Sequence, residues 1–514
     1  EGAFGVVWEV APEDGDGPHA ALKIQRPGGA EARRDVEAEA LLGMELMALG
    51  PGSGLMGVID MCTVASIPTE WRKQLVDAVD PNAKYPSVVT AWKRARFRGP
   101  YTFVFLPLGS GGTLDKVLED AAANGKPLPP THLAGMAVQL VNSVRVLHDI
   151  VAYQHCDLKP ENVVLVASDK TAPGLEVAGD VPRTSIIDYG LAVRLEDGSH
   201  AGGTVAYLAP EVLFLGALER DYAADVWALG VMFLEMVLTG IEGACYRAAS
   251  AATAAIQHLT EVLACVLTRD EESPVHTLVE LVIEASESSQ FVCDDPSDAS
   301  AVIAVAFIQY ALHGVVLPQA GEWPTAEDAE TSPTYVALEQ DRAKLHELAS
   351  DPTINPYIDL IDAVEAADDP ILREMLVLAK DMMAWQPSDR PDLVHVLTDH
   401  PVLASHRVGL ATNKIPLVSL AASENTPPSS PAPAACDSRS LTQHPLGTPF
   451  TPMCTPGRSR AVRRHIQERI HSTASKFEAK ARRKARHKAA AAVARGERPQ
   501  ALPPRTPRAV RALR

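Results

Sequence analysis

His155-Cys156-Asp157-Leu158-Lys159-Pro160-Glu161-Asn162, read as HCDLKPEN, is the stretch on which the fold assignment turns. One octapeptide holds a carboxylate, an ammonium two residues on and a side-chain amide five residues on. Its flanks give it a setting. Residues 130 to 150 read as a long helix ending in LHDI, and SIIDYG reads as a strand and turn that close on Asp188-Tyr189-Gly190.

Outward from this loop, further short elements follow in order. Near the start, EGAFGVV and HAALKIQ are strand-like and are separated by the turn-rich EDGDGP. EARRDVEAEALLGMELMAL has helical periodicity and good helix formers. TFVFLPLGSGGTL is a strand and its exit. After the octapeptide come GGTVAYLAPE, with Ala209-Pro210-Glu211, then DYAADVWALG, with Asp225, Trp227 and Gly230, and finally WQPSDRP, with Arg390. Each is weak alone, because short glycine motifs arise by chance and a single strand lysine is usually solvated surface. Their order carries the weight. Together they resemble the eukaryotic-type protein kinase family, in its Ser/Thr form, with Cys156 where the family has Arg.

The resemblance implies an α+β, two-lobed kinase fold over residues 1–403, with a strand-rich N-lobe (1–107) and a helical C-lobe (108–403) that carries a helical insertion at about 241–350. It implies an ATP- and magnesium-dependent transfer of the γ-phosphate to a Ser or Thr hydroxyl of a protein substrate. Gly2, Gly5 and Val7 take places in the glycine-rich loop, the first glycine of which falls upstream of Glu1. Ala21-Leu22-Lys23 matches the strand whose Lys meets the α- and β-phosphates. Leu106 lies near the gatekeeper, Leu108 and Gly109 lie beside the adenine, and Val164 joins the cofactor-contacting positions. Pro107 has no N–H to offer, but its carbonyl still accepts. Glu37 is the expected partner of Lys23, since Leu41 and Met44 then face the core; Glu39 is the alternative. In the family's chemistry Asp157 accepts the hydroxyl proton, Lys159 neutralises charge on the transferred group, and Asn162 and Asp188 ligate magnesium. Lys159 together with Gly203-Thr204 marks a Ser/Thr acceptor. Arg390 is expected to pair with Glu211. Tyr189 replaces the family's Phe and brings a hydroxyl that needs a partner. The Arg that Cys156 replaces receives a phosphate on the activation segment, and a thiol cannot. Activation is therefore expected without phosphorylation of residues 188–211, with Cys156 a small neutral filler rather than an oxidation switch. The rival reading is a pseudokinase scaffold or regulator acting through the insertion and the tail, but Lys23, Asp157, Asn162 and Asp188 are all present.

Size and composition fit this reading. The 514 residues leave well over a hundred beyond one kinase domain. With 46% hydrophobic and 22% charged residues, the chain has the balance of a globular protein with a core. Seven cysteines without a CxxC pair suggest neither a zinc site nor a disulfide framework, so a cytoplasmic or nuclear setting is expected. The chain opens without Met inside a motif and is read as a fragment. Ala301 to Leu317 is too short and too polar, with Gln309 and His313, for a membrane span, and is expected to be a buried helix; no transmembrane segment is expected.

The net charge of −18 is unevenly spread: residues 451–514 hold 18 Lys and Arg against three Glu. An acidic body thus ends in a basic tail. Within the insertion, Ile256, Leu259, Leu263, Val266 and Leu267 form a helical stripe. Residues 404–456 are read as a Pro/Ser/Thr-rich disordered linker; Thr426, Ser430, Thr448, Thr451 and Thr455 there, and Thr506 in the tail, each precede Pro and suit a proline-directed kinase. Residues 457–514 are read as a helical basic tail for an anionic partner, whether nucleic acid, membrane surface or acidic protein. Residues 62–100, longer than this link usually is, are read as a surface insertion.

Overall fold

The computed structural model describes residues 5–11, 19–26, 29–77, 88–166, 181–194, 203–213, 222–241, 277–279, 281, 296–319 and 332–406. Gly2, the stripe from Ile256 to Leu267, and the linker and tail beyond residue 406 lie outside these. The fold is α+β and two-lobed.

The small lobe is a four-stranded antiparallel sheet of β1 (Gly5–Val10), β2 (Ala20–Gln25), β3 (Asp60–Ser66) and β4 (Arg98–Pro107), ordered β1-β2-β4-β3. Period-two alternation gives the sheet two working faces. Val104, Met61 and Leu106 pack with Ala40 and Met44 of helix α1 (Ala30–Met47). Leu22, Ile24, Tyr101 and Phe103 face the other way. There the segment between β3 and β4 covers them with α2 (Thr69–Asp77) and α3 (Val88–Arg94), burying Leu75, Val89 and Trp92. Trp71 stacks on Phe103 at 5.8 Å and meets Trp8 edge-on at 6.2 Å, while Trp92 meets Tyr101 edge-on at 5.2 Å. Such pairs contribute about 0.5–1.5 kcal/mol each beyond the area they bury. The inserted segment is therefore part of the small-lobe core, not only surface.

The large lobe is built on helices whose sequences are apolar on most sides. After α4 (Leu114–Asn124), α5 (Pro130–Val146) starts at a proline, whose missing N–H would be unpaired there anyway, and is buried along nearly its whole length. Two short two-stranded antiparallel sheets follow, β5 (Tyr153–Gln154) with β8 (Val193–Arg194) and β6 (Val163–Val166) with β7 (Arg183–Ile186). The short α6 (Pro210–Leu213) precedes α7 (Tyr222–Thr239). By length and composition α7 could cross a membrane, but 89% of it is buried inside the lobe, which is what a core helix looks like. Within the expected insertion, α8 (Pro296–His313) is also a core helix: Val302 to Ile308 are at most 2% exposed. It is followed by α9 (Pro333–Gln340), α10 (Arg342–Ser350), α11 (Pro356–Ala366), α12 (Pro370–Met382), α13 (Leu393–Asp399) and α14 (Pro401–His406). The last helix runs three residues past the expected boundary at 403.

Candidate active site

The sheet register fixes the roof of the cleft. Val7 lies opposite Lys23 and Lys23 opposite Val104, while Ala21 lies opposite Leu106, so Val7, Ala21, Lys23 and Leu106 share one face. Val7 is 58% exposed there, an apolar side chain open to the cleft. Gly5 sits close against β2, where a Cβ would come within 2.3 Å of the Ile24 carbonyl. Beyond the end of β4 the chain runs through Leu108 to Gly109, which packs on Val164 of β6 so tightly that a Cβ would approach its side chain to 2.9 Å. Roof and floor are thus brought to one edge.

Lys23 reaches down from the roof. Its Nζ donates to Glu39 Oε1 at 2.8 Å and to Asp188 Oδ1 at 3.0 Å. The expected partner Glu37 does not make this contact; Glu39 does. The helix face that meets Lys23 is set by how α1 is packed between two layers. Ala40 and Met44 lie on the sheet, while Leu42 and Leu46, three and seven residues after Glu39, join the large-lobe core. Burial pulls the Lys23 ammonium down, yet Glu39 and Asp188 outweigh it and hold its pKa above the ordinary lysine value. Burial would raise Asp188, but Lys23 reverses this and leaves it below the ordinary aspartate range. Glu39 is pushed up by burial, against the pull of Lys23. One ammonium cannot fully serve two carboxylates.

Across the cleft the octapeptide folds on itself. Asp157 Oδ1 accepts from the Thr204 N–H at 2.9 Å and from its hydroxyl at 2.8 Å. Asp157 Oδ2 accepts from Lys159 Nζ at 2.9 Å and from Asn162 Nδ2 at 3.1 Å. Lys159 also donates to Thr204 Oγ1 at 2.7 Å, so acid, base and hydroxyl close a triangle. Asn162 Nδ2 donates further to the Asp157 carbonyl at 2.7 Å, which fixes the turn, and the Ile187 N–H donates to the Asn162 carbonyl at 2.9 Å, which brings Asp188 alongside. Two residues here have left-handed backbone, Cys156 at φ 67 and Asp188 at φ 65, a conformation that persists in non-glycine residues only where neighbours enforce it.

The neighbour that enforces it at Cys156 is Asp225, at the start of α7. Its carboxylate accepts from the N–H of His155 at 2.7 Å, the N–H of Cys156 at 3.0 Å and His148 Nε2 at 2.9 Å. DYAADVWALG had marked Asp225 as a motif residue, but nothing local in the sequence showed that it grips the octapeptide about 70 positions away. The Cys156 thiol is buried and directed at the Gln154 carbonyl, 3.8 Å away. Tyr189 finds its partner in the Ile186 carbonyl at 2.8 Å, and burial drives its pKa far up.

The model of the protein kinase domain matches residues 82–403. The chain belongs to the protein kinase family. Among curated relatives, the chain is 32% identical over 186 residues to the "Probable cell cycle serine/threonine-protein kinase CDC5 homolog" of Encephalitozoon cuniculi, covering 36% of each chain. It is 29% identical over 247 residues to the human "Dual specificity protein kinase CLK1", covering 46% of this chain and 43% of that one. It thus spans well under half the length of these curated relatives. A solved kinase-domain crystal structure covers 78% of it, at 15% identity and a TM-score of 0.42.

The large lobe is closed by Arg390. Its Nη1 and Nη2 donate to Glu211 Oε1 and Oε2 at 2.8 and 2.7 Å, and its guanidinium lies 5.2 Å from the Trp227 ring. The donor set also suits a hard cation. Asp188 keeps a 42% exposed side chain, the Asn162 side-chain oxygen accepts no hydrogen bond among the described residues, and the two carboxylates around Lys23 leave net negative charge. No group of three or more His, Cys, Asp or Glu poised for a metal occurs among the described residues. Few protein oxygens, with phosphate completing the shell, is the pattern magnesium takes.

Proposed function

We propose that the chain is a protein Ser/Thr kinase that transfers the γ-phosphate of ATP to a protein hydroxyl with magnesium bound. The observation that carries this is the Asp157 carboxylate, gripped by Thr204, Lys159 and Asn162, in a loop whose Asn162 carbonyl accepts from Ile187, the neighbour of the Lys23-paired Asp188. Held this way, Asp157 is oriented to receive the proton of an incoming hydroxyl. Lys159 sits where it neutralises charge on the group being transferred, and Lys23, fixed by Glu39, positions the other phosphates. Val7, Ala21 and Leu106 above, with Val164 below and Gly109 at the edge, offer a slot for a flat base. When bound through Asp188 and Asn162, magnesium would supply positive charge against the phosphate oxygens.

The relatives named as serine/threonine and dual-specificity kinases support the acceptor class, as does Thr204 beside Lys159. A scaffold without chemistry is disfavoured, because the polar groups are present and also assembled. The test is magnesium-dependent phosphate transfer from ATP to a Ser/Thr peptide library, by wild type and Asp157→Ala. Loss of a positioned acid–base group should lower turnover about 10²–10⁴-fold. Equal transfer by the two proteins would sink the reading.

A further inference from the structure

Residues 67–98, between β3 and β4, carry seven Lys and Arg against three Asp and Glu, in a chain whose net charge is −18. The segment is two-sided. Its apolar residues Leu75, Val89, Trp92 and Phe97 are buried against the sheet. Lys93, Arg94, Arg96 and Arg98 are exposed, and among the described residues none makes an ion pair or a side-chain hydrogen bond. Arg72 of the same segment behaves differently: its Nε donates to the Ile67 carbonyl at 2.9 Å and its guanidinium lies over the Phe97 ring. Four unpaired cations within six positions repel one another, and nothing in the small lobe's packing calls for them.

The backbone holds them in place. Arg96 at φ 53 and Phe97 at φ 52 are successive non-glycine residues in the left-handed region, at a cost of about 1–2 kcal/mol each. Burial of Phe97 to 7% exposure enforces the turn, together with its N–H on the Trp92 carbonyl at 2.8 Å and the Arg96 N–H on the Lys93 carbonyl at 2.9 Å. Glycine would relieve the strain at position 96, yet an exposed arginine stands there. Strained backbone that fixes a charged side chain is a feature of ligand clamps. The turn also adjoins an open sheet edge. Among the described residues β3 pairs with β4 alone; its Thr63, Ala65 and Ser66 are exposed, and Ser66 lies opposite Arg98. The register is regular over Asp60–Val64 and shifts between Val64 and Ser66, so the row of main-chain groups on that edge spans Asp60–Val64 and the irregular step beyond it leads into the cationic turn.

We infer that this edge and turn dock an extended acidic segment of a partner protein, its main chain added to β3 and its carboxylates set against Lys93, Arg94, Arg96 and Arg98. A nucleic acid fits less well. The neighbouring aromatics Trp92 and Phe97 are buried and offer no face for base stacking, and a sheet edge has no ladder for a phosphodiester chain. This inference does not depend on phosphoryl transfer, since binding is read directly.

The test is fluorescence anisotropy of the full chain with a labelled eight-residue Glu-Val repeat, the same peptide N-methylated at alternate amides, and a twelve-nucleotide uridine RNA. The repeat should bind wild type at least tenfold more tightly than it binds Arg94→Glu/Arg96→Glu. N-methylation should cost the peptide a comparable factor on wild type. Both proteins should keep the same thermal unfolding and the same transfer to a short uncharged peptide. Equal binding of the repeat by both proteins would assign it to the basic tail and overturn the inference. So would unchanged binding after N-methylation, which means charge without strand pairing, or a larger loss for the RNA than for the peptide.

Discussion

Asp157 accepts four hydrogen bonds, two from Thr204, one from Lys159 and one from Asn162, and all come from within the loop or from Thr204 beside it. None needs a phosphate. Cys156 sits beside it with its thiol turned to the Gln154 carbonyl, and its backbone, rather than its side chain, is what Asp225 holds. The loop is therefore ordered without the cation that would read phosphate on residues 188–211. Full dephosphorylation of the purified protein should leave most of its peptide turnover intact. Activity that vanished with phosphatase, and returned only when Thr204 or Ser199 was phosphorylated again, would refute this.

At the scale of elements, α7 is the strut of the site, because its first turn carries Asp225. Burial would raise this carboxyl, but His148 and His155 hold it below the ordinary aspartate range. A lowered folded-state pKa means the charged form supports the fold. That support is complete above the unfolded aspartate value of about 3.9 and fades as pH falls through the lower, folded value. Asp225→Asn should therefore cost about 1.5–3 kcal/mol at neutral pH, the range for hydrogen bonds to a charged group. Urea unfolding at pH 7 and near pH 3 would show the gap to wild type narrowing in acid; a constant gap would count against the assignment. Not every element is as transparent as α7. In α1, the sheet takes Ala40 and Met44 while the large lobe takes Leu42 and Leu46, so the sequence shows apolar residues on several faces. Periodicity alone then points equally well to Glu37, and only the packing singles out Glu39.

Across the whole molecule, what could be read from the sequence was polar chemistry at fixed spacing. Within HCDLKPEN the spacing of acid, base and amide has a chemical reason, and Asp188 and Lys23 could be placed because the resemblance to the protein kinase family names their motifs in that order. The covering of the small-lobe sheet by TEWRKQLVD could not, since that helix is polar and its contribution rests on Trp71 and Leu75 meeting a surface formed elsewhere. The grip of Asp225 on the octapeptide was hidden for the same reason. The pairing of Arg390 with Glu211 is the longest such link among the described residues, joining positions 179 apart, and it was legible because the resemblance named both ends. Its energy can be argued from geometry. The Arg390 side chain is 0% exposed and that of Glu211 11%, so removing the cation strands a buried carboxylate and uncovers the Trp227 ring on which the guanidinium lies. Arg390→Ala should cost about 3–5 kcal/mol, the range for breaking a buried pair from one side. Arg390→Lys should recover only part of this, because an ammonium cannot make two parallel bonds. Arg390→Ala with Glu211→Ala should lose less than the two single changes together, as the stranded charge is then gone. Urea midpoints of the four proteins at neutral pH measure all three statements, and a loss below about 1 kcal/mol for Arg390→Ala would make this link no more than a surface ion pair.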